Sequence, residues 1–522
     1  MLKTDVTPGA LAAPSASEGG EIPFSGVTPV EQQARSFARL LTYLTTSIAR
    51  YHPYYRGLFR RLGIAPIDIR TYDDFRRIPV TTKATLVENL ADFTLMPRYP
   101  GAADIHDSEV ATPEMMARYR HRAQERNFRD LFGLRPEVER VREQFLRDWR
   151  PIHFQMSGGT TGKAVVSGYT HSDLYERFAR SGAWWYGLNP RLHQDDKWLN
   201  LLPAAPHLGI YATMLIPLFE GQPNFNTFGG KVMPTERQIR IAAEDNFAVV
   251  IALPSYLIHW LRTAIRMREM GEIPPIGSFK VAYCVGEPVT DAYRALIKDA
   301  FKRLGSGDVQ VLEGMSSTEL RTGGFYECNE GSKLHFDPTN FFGEILDPET
   351  KQPVPDGQPG IFVWSHIDWH GTAILRYWTG DYVSGGMVWA TCPDCGHTIP
   401  RLVTPIWRAD KDETKIRGTR VELIRLSDAV RGVSGVRSFQ VLIGKSDKND
   451  PFSRDTLTAI VACHDDAKEE EIEAGVRQAV LRDTEVSVDT VIFESLPQLD
   501  ARLFAKKLKA EWIVDERETQ SI

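Results

Sequence analysis

Nothing in this chain is apolar over a long enough stretch to cross a bilayer. No run reaches the ~18 residues that a spanning helix needs. Its first residues also lack the basic segment followed by an apolar run that marks a secretory signal. Cysteine is scarce: five residues, unevenly spaced, do not make a disulfide framework. Excess charge is missing too, since 62 Lys and Arg against 68 Asp and Glu leave a net charge of -6. That balance argues against a dedicated nucleic-acid binder and against a polybasic membrane-surface protein. No internal repeat is visible. The absences leave a soluble, cytoplasmic chain of ordinary composition as the expectation, and 522 residues predict two or three domains.

Residues 1–25 are rich in Gly, Ala, Ser, Pro and Thr and read as a mobile tail. From Val30 to Leu62 apolar residues recur at helical spacing, through Phe37, Leu40, Leu41, Leu44 and Ile48. Residues 97–150 read as a helical insertion. Ten arginines against seven acids in 113–150 suit a solvated helical face. After Lys163 short apolar runs alternate with amphipathic stretches. Trp198–Leu202, Ala248–Ala252, Lys280–Cys284 and Val309–Leu312 read as buried strands, with helices at 233–246, 256–270 and 290–304. Such alternation implies βαβ units. Strands crowd together from Gly343 to Val383, as in a β-rich subdomain. Beyond a polar stretch at Asp410–Thr414 come strands at 437–443, 456–463 and 488–493 and a helix at 467–482.

The expected fold class is therefore α/β. A large N-terminal domain, 26–409, has mostly parallel sheets flanked by helices plus the β-rich subdomain. A small α+β C-terminal domain, 410–522, follows.

Chemistry concentrates in four stretches. Ser157-Gly-Gly-Thr-Thr-Gly-Lys163 combines three glycines, which let the backbone approach a ligand, with hydroxyls and an ammonium for phosphate oxygens. It is not the P-loop of the common NTPases, which needs Gly at Ser157 and Ser or Thr at Ala164. Glu313-Gly-Met-Ser-Ser-Thr-Glu-Leu320 sets a hydroxyl beside a carboxylate after a strand. That pairing suits Mg²⁺ and phosphate, and equally a helix N-cap. Arg376-Tyr-Trp-Thr-Gly-Asp381 offers an Asp on a tight turn that can accept from two ribose hydroxyls, or serve as an ordinary turn residue. Trp407-Arg408-Ala-Asp410 and Lys415-Ile-Arg-Gly418 put basic groups at the expected domain boundary.

In this order and spacing, the four stretches resemble the adenylate-forming superfamily of acyl- and aryl-CoA synthetases, peptide-synthetase adenylation domains and luciferases. The phenylacetate-CoA ligase branch is the nearest likeness, through Tyr51-His-Pro-Tyr-Tyr55, Ile78-Pro-Val-Thr-Thr-Lys83 and Gly286-Glu-Pro288. The resemblance covers about 30–96 and 150–512. It implies that Thr160, Thr161 and Lys163, in the loop that Ser157 opens, handle the β- and γ-phosphates. Gly286, Glu287 and Pro288 would line adenine, with Met315, or Glu313 in a gapped alignment, where the family stacks an aromatic ring. Thr318 and Glu319 would meet the α-phosphate and Mg²⁺, Asp381 the ribose, and Arg408 the nucleotide side of the boundary. Asp410 would be the hinge, and Lys506, with Lys507 one register away, the adenylation lysine. Ala505 replaces the family's glycine there. By family position His207, Tyr211, Tyr256 and Val285 would line the acyl pocket.

The implied activity is ATP-dependent activation of a small, aromatic carboxylic acid and its transfer to CoA. The open alternatives are an amine or carrier protein as acceptor, a non-carboxylate group, a phosphotransferase releasing ADP, and a non-catalytic ATP-binding zinc-knuckle protein. No nucleic-acid or membrane partner is implied, and a homodimer stays open.

A metal site is readable separately. Cys328, His335, Cys392 and Cys395 supply three thiols and an imidazole, and the Cys-x₂-Cys knuckle ends on Gly396. Four ligands would make a structural Zn²⁺ site steadying the β subdomain near Asp381, with His397 as a substitute ligand and free thiols as the alternative. Cys284 and Cys463 read as core residues.

Overall fold

The computed structural model describes residues 26–103, 107–124, 136–157, 164–178, 189–321, 324–409, 413–448, 450, 453–464, 467–504 and 510–517. The expected tail at 1–25, and Thr160, Thr161, Lys163, Asp410, Lys506 and Lys507, lie outside these residues.

The chain enters through helix Pro29–Tyr43, started by a Thr28 cap whose hydroxyl accepts from Glu31 N–H while the Glu31 carboxylate returns to Thr28. A wider turn, Leu44–Ile48, carries the apolar stripe onward, so Leu40, Tyr43, Leu44 and Ile48 all face inward. Helix Pro53–Leu62 begins on His52, which accepts from Tyr55 N–H, and stops at Gly63 in the left-handed conformation.

The main sheet has nine strands. Its parallel half runs Asn224–Asn226, Lys197–Asn200, Phe247–Ala252, Val281–Val285, Gln310–Met315 in spatial order. Helices Thr235–Glu244, Pro254–Glu269 and Asp291–Leu304 make the crossovers. Side chains alternate across it: Val250, Ala252, Ala282 and Cys284 join one core, and Val249, Ile251, Val281 and Tyr283 the other. The other half is antiparallel: Phe325–Tyr326, Leu334–His335, Arg401–Leu402 and Met387–Val388 extend the sheet past Met315. The expected mostly parallel sheet is thus parallel only in its core. Two-residue strands are too short to show any periodicity.

A separate antiparallel sheet of Phe341–Leu346, Gly360–His366, Tyr377–Val383 and Ile406–Arg408 matches the β-rich region and carries Asp381. Helices Pro113–Arg122 and Glu137–Trp149 lie in the expected helical insertion. Met115, Met116, Tyr119, Phe145 and Trp149 share one core with the N-terminal helices and this sheet. Trp149 also stacks on His370 with ring centres 4.1 Å apart.

Residues 413–517 build their own sheets and core. Val436–Lys445 pairs antiparallel with Asp455–Cys463, and Ile513–Asp515 and Thr490–Phe493 add parallel edges. Helices Leu423–Arg431 and Glu469–Thr484 cover it. Among the described residues no helix is long and apolar enough to cross a membrane.

Candidate active site

Ser157 sits at the neck of the glycine-rich loop. Strands His153–Met156 and Val166–Tyr169 form a hairpin. Ser157 closes it, its N–H donating to Val165 O at 2.9 Å and its Oγ accepting from Val165 N–H at 3.0 Å. Met156 N–H donates to Pro206 O, which ties the hairpin to the segment carrying His207. The tip, with Thr160, Thr161 and Lys163, falls outside the described residues.

The signature Thr318-Glu319 follows strand Gln310–Met315, and both residues are buried. Burial pushes the Glu319 carboxyl upward in pKa. Its own backbone N–H and the charges of Lys83 and Arg408 oppose this. Tyr377 is raised first by its burial and then by the charges of Glu319 and Asp381, with Arg408 opposing. Two motifs more than sixty positions apart in sequence are therefore electrostatic neighbours, with Lys83 as a further cation.

Lys83 was missed as a site residue. The signal lay in Ile78-Pro-Val-Thr-Thr-Lys83, because Thr81 pairs with Tyr377: Thr81 N–H donates to Arg376 O and Trp378 N–H to Thr81 O. Helix Lys83–Glu88, capped by Thr82, starts beside that strand.

Asp381 is oriented by its neighbours. Its N–H donates to Thr379 Oγ1 (2.9 Å), whose hydroxyl donates to Phe362 O. Gly380, at φ +77°, permits the turn, and the Arg408 guanidinium lies where a side chain would otherwise project. Across the strand pair Arg408 Nε stands 3.7 Å from Asp381 Oδ1.

On the expected adenine side, Gly286 takes a positive φ of 81°. Glu287 turns inward, accepting from Ser255 N–H at 3.2 Å and Ser255 Oγ at 2.8 Å. Met315 packs partly buried against the N-terminal core.

The four expected acyl-pocket residues do not form one group. Tyr211 packs on the sheet face of Tyr283, edge-on to His153 with ring centres 4.5 Å apart. Val285, at the strand end, touches both cores, and His207 is the residue immediately before helix Leu208–Phe219, with no side-chain capping bond. Tyr256 belongs to the opposite face, where its hydroxyl meets Thr235 (3.0 Å) and Gln238 (3.2 Å). Tyr256 is a packing residue in this arrangement, because it starts the crossover helix on the far side of the strands.

Below the signature lies a knot that sequence reading missed. Arg321, at φ +66° and wholly buried, pairs with Asp173 at 2.7 Å. It also donates to Thr372 O and sits between the Tyr169 and Trp369 rings. The knot fixes the backbone two residues past Glu319. Its partners are 148 residues apart, so no local pattern announces it.

Cys328, His335, Cys392 and Cys395 come together, with all four ligand atoms within 4.8 Å of one another. Zn–S bonds of ~2.3 Å and Zn–N bonds of ~2.0 Å in a tetrahedron give edges of about 3.8 Å (S···S) and about 3.5 Å (S···N). The Cys328–Cys392 sulfurs are 3.8 Å apart and Cys395 Sγ is 3.5 Å from His335 Nε2. His335 Nδ1 faces the Tyr326 and Lys333 carbonyls, which frees Nε2 for a metal. The donor set fits zinc. It lies on the antiparallel extension of the main sheet and not on the sheet carrying Asp381, which corrects its expected location. His397 instead supplies a backbone oxygen to Cys392 N–H, closing the knuckle. Cys284 is buried in the main core as expected, whereas Cys463 is half-buried at the edge of the C-terminal core.

The fold is that of the adenylate-forming enzymes. A crystal structure of 2-hydroxyisobutyryl-CoA ligase in complex with R3-HIB-AMP superposes with a TM-score of 0.71 over 98% of this chain and 97% of that one, at 18% identity. The model of the AMP-binding enzyme family matches residues 99–366, and the chain belongs to that family. Phenylacetate-coenzyme A ligase of Thermus thermophilus is 27% identical over 406 residues, 74% of this chain and 72% of that protein. The Escherichia coli protein of the same name is 24% identical over 397 residues, 72% and 71% of the two chains.

Proposed function

We propose that the chain is an AMP-forming ligase that activates a small aromatic carboxylic acid with ATP and passes the acyl group to coenzyme A. The observation that carries this reading is the convergence of Glu319, Asp381, Arg408 and Tyr377 beside the signature strand. In the first step the acid's carboxylate oxygen attacks the α-phosphorus of ATP and the bond to pyrophosphate breaks. In the second, the thiolate of CoA attacks the acyl carbon and AMP leaves. The Thr318 hydroxyl would donate to the α-phosphate and the Glu319 carboxylate would be a hard oxygen ligand for Mg²⁺, an ion that would neutralise phosphate charge. Asp381 is held to accept from ribose hydroxyls, and Gly286, Glu287, Pro288 and Met315 border the adenine.

The glycine-rich loop and Lys506 would hold the polyphosphate and the developing charge, so catalysis is mainly positioning and electrostatics. Rotation about Asp410, between domains 26–409 and 410–522, would exchange the two half-reactions. Support for an aromatic acid comes from relatives named phenylacetate-coenzyme A ligases. The Cys/His cluster is proposed as a structural zinc site, since all four ligands are occupied by protein.

The test is product analysis after incubation with ATP, Mg²⁺ and a panel of aryl acids, with and without CoA. AMP, pyrophosphate and an aryl-CoA thioester are expected. Release of ADP, or no acid-dependent AMP across the panel, would overturn the proposal.

A further inference from the structure

Strand Gln310–Met315, which leads into the Thr318-Glu319 signature, is held along one edge by the four residues Glu327–Glu330. Gln310 Nε2 donates to Asn329 Oδ1 at 2.7 Å, Val311 N–H to Glu330 Oε1 at 2.8 Å and Glu313 N–H to Glu327 Oε2 at 2.8 Å. Glu327 N–H returns to Glu313 O at 3.1 Å. Carboxylates thus take strand N–H groups that would be costly to bury unpaired. The same four residues reach helix Asp291–Leu304, which follows the Gly286-Glu287-Pro288 turn. Arg294 donates to both Glu327 oxygens (3.1 and 3.0 Å) and to Val311 O, and Lys298 pairs with Glu330 at 2.9 Å.

This strap contains Cys328, one of the four residues of the Cys/His cluster. Its backbone is drawn into a tight turn. The N–H groups of Cys328 and Asn329 donate to Ser332 Oγ at 3.0 and 3.1 Å, and Gly331 N–H donates to Glu327 Oε1 at 2.8 Å. Cys328 Sγ faces Cys392 Sγ, 64 positions away in sequence, at 3.8 Å. Asn329 Nδ2 donates to Asp394, between the two knuckle cysteines, at 2.9 Å. The cluster and the signature strand therefore grip the same four residues.

We infer that metal at the Cys/His cluster and nucleotide at the signature are bound cooperatively, with Glu327–Glu330 as the strap that couples them. The inference rests on the zinc and adenylating readings proposed above. An ion held by Cys328, His335, Cys392 and Cys395 fixes the strap to the knuckle. The strap in turn fixes the signature strand through Gln310, Val311 and Glu313, and the adenine-side helix through Arg294 and Lys298. Nucleotide needs both elements in place, so each ligand favours the arrangement the other prefers. Such coupling is reciprocal: zinc must tighten nucleotide binding by the same factor as nucleotide tightens zinc binding.

The experiment compares full-length wild type, zinc-loaded and metal-free under reducing conditions, with the double variant Asn329→Ala/Glu330→Ala. Asn329 is exposed and Glu330 half-buried, and neither is a ligand of the cluster. AMP is the nucleotide probe because it has no polyphosphate to hold zinc itself. Calorimetric titration should give an AMP Kd about tenfold weaker for metal-free than for zinc-loaded wild type. Competition against a chromogenic chelator should give a zinc Kd tighter by that same factor at saturating AMP. The double variant should still take one zinc per chain, with the factor reduced below about twofold. Equal AMP affinity with and without zinc, the full factor in the double variant, or a wild type that takes up no zinc would each overturn the inference. Hydrogen–deuterium exchange separates coupling from general unfolding. On zinc removal, peptides covering 310–315 should exchange about tenfold faster in wild type while Phe247–Ala252, in the same sheet, is unaltered. Loosening of both strands together would refute the strap. A zinc-loaded wild type that binds no AMP fails the adenylating reading instead, and the exchange of 310–315 then still decides whether the metal reaches the strand.

Discussion

Asp173→Asn tests the buried knot beneath the signature. The Asp173 carboxylate accepts four hydrogen bonds: from Arg321 Nη2 (2.7 Å), Gly371 N–H (2.8 Å), His370 N–H (2.9 Å) and Thr170 N–H (3.0 Å). The pair is 0% and 1% exposed. Burial alone would raise the Asp173 pKa. The Arg321 charge foremost, then His370 and the backbone N–H groups, overcome it and hold the carboxyl at about 2. An asparagine turns one of the two oxygens into a donor facing donors, and leaves Arg321 buried without a counter-charge. Removing one partner of a buried pair costs about 3–5 kcal/mol. For a cooperative unit of several hundred residues 1 kcal/mol is worth roughly 1–2 °C, so the melting midpoint at pH 7 should fall by about 3–10 °C.

The pH dependence carries the sharper test. A carboxylate depressed on folding contributes stability that is complete well above its unfolded pKa and is lost as pH falls toward its folded one. With an ordinary value near 3.9 and a folded value of about 2, the loss is only a few tenths of a kcal/mol at pH 4 and about 1 kcal/mol at pH 3. The wild-type advantage over Asp173→Asn should therefore be constant from pH 7 to 5 and narrow by about 1 kcal/mol at pH 3. Unfolding rates in urea, read by pulse proteolysis at each pH, measure it without requiring reversibility. Asp483→Asn, at an exposed pair with Arg482, is the control and should shift stability by less than about 0.5 kcal/mol. A variant as stable as wild type at pH 7, or a gap unchanged at pH 3, refutes the charged knot.

Two further outcomes are expected. Glu313, buried beside Glu327, has its carboxyl pushed up to about 8 by burial first and the Glu327 charge second, against the pull of Arg294. The folded chain then holds a proton that the unfolded chain releases near pH 4.3, so stability falls as pH rises from about 4.5 to 8, by up to ~1.4 kcal/mol per pH unit. Glu313→Gln should flatten that slope in a melting series, and coincident slopes would show that Glu313 is ionised. At the Cys/His cluster, elemental analysis should find one zinc per chain, lost in Cys395→Ser. A strong chelator should lower the wild-type melting midpoint, consistent with about 2.7 kcal/mol of stabilisation at metal a hundredfold above its dissociation constant. A metal-free wild type whose midpoint does not respond to added Zn²⁺ would leave the cluster as reduced thiols.

The parallel core was legible because its strands are covered on both faces and so read as continuous apolar runs. Lys280–Cys284 and Ala248–Ala252 fall within a residue of the strands Val281–Val285 and Phe247–Ala252. The antiparallel extension was not legible, since Phe325–Tyr326 and Leu334–His335 are set by partners far off in sequence. Helix Leu496–Leu503, which carries Asp500, and strand Ile513–Asp515, which pairs with Val436–Lys445, also went unread. The Arg376–Asp381 turn was readable because Gly380, at φ +77°, meets a backbone need beside a chemically specific neighbour, Asp381.

What motifs cannot carry is the side on which a residue faces. Ser255 and Tyr256 are adjacent in sequence, at the start of one helix. About 100° of helical rotation sends Tyr256 to Thr235 and Gln238, and Ser255 to Glu287 and Ala510. Family position marked the aromatic residue for the substrate, while the geometry turns it into the core and gives the contacts with Glu287 and Ala510 to the serine beside it. A buried polar side chain with partners from two motifs is the better guide here. Its hydrogen bonds are costly to leave unmade, whereas a tyrosine in a helix packs equally well with no function at all.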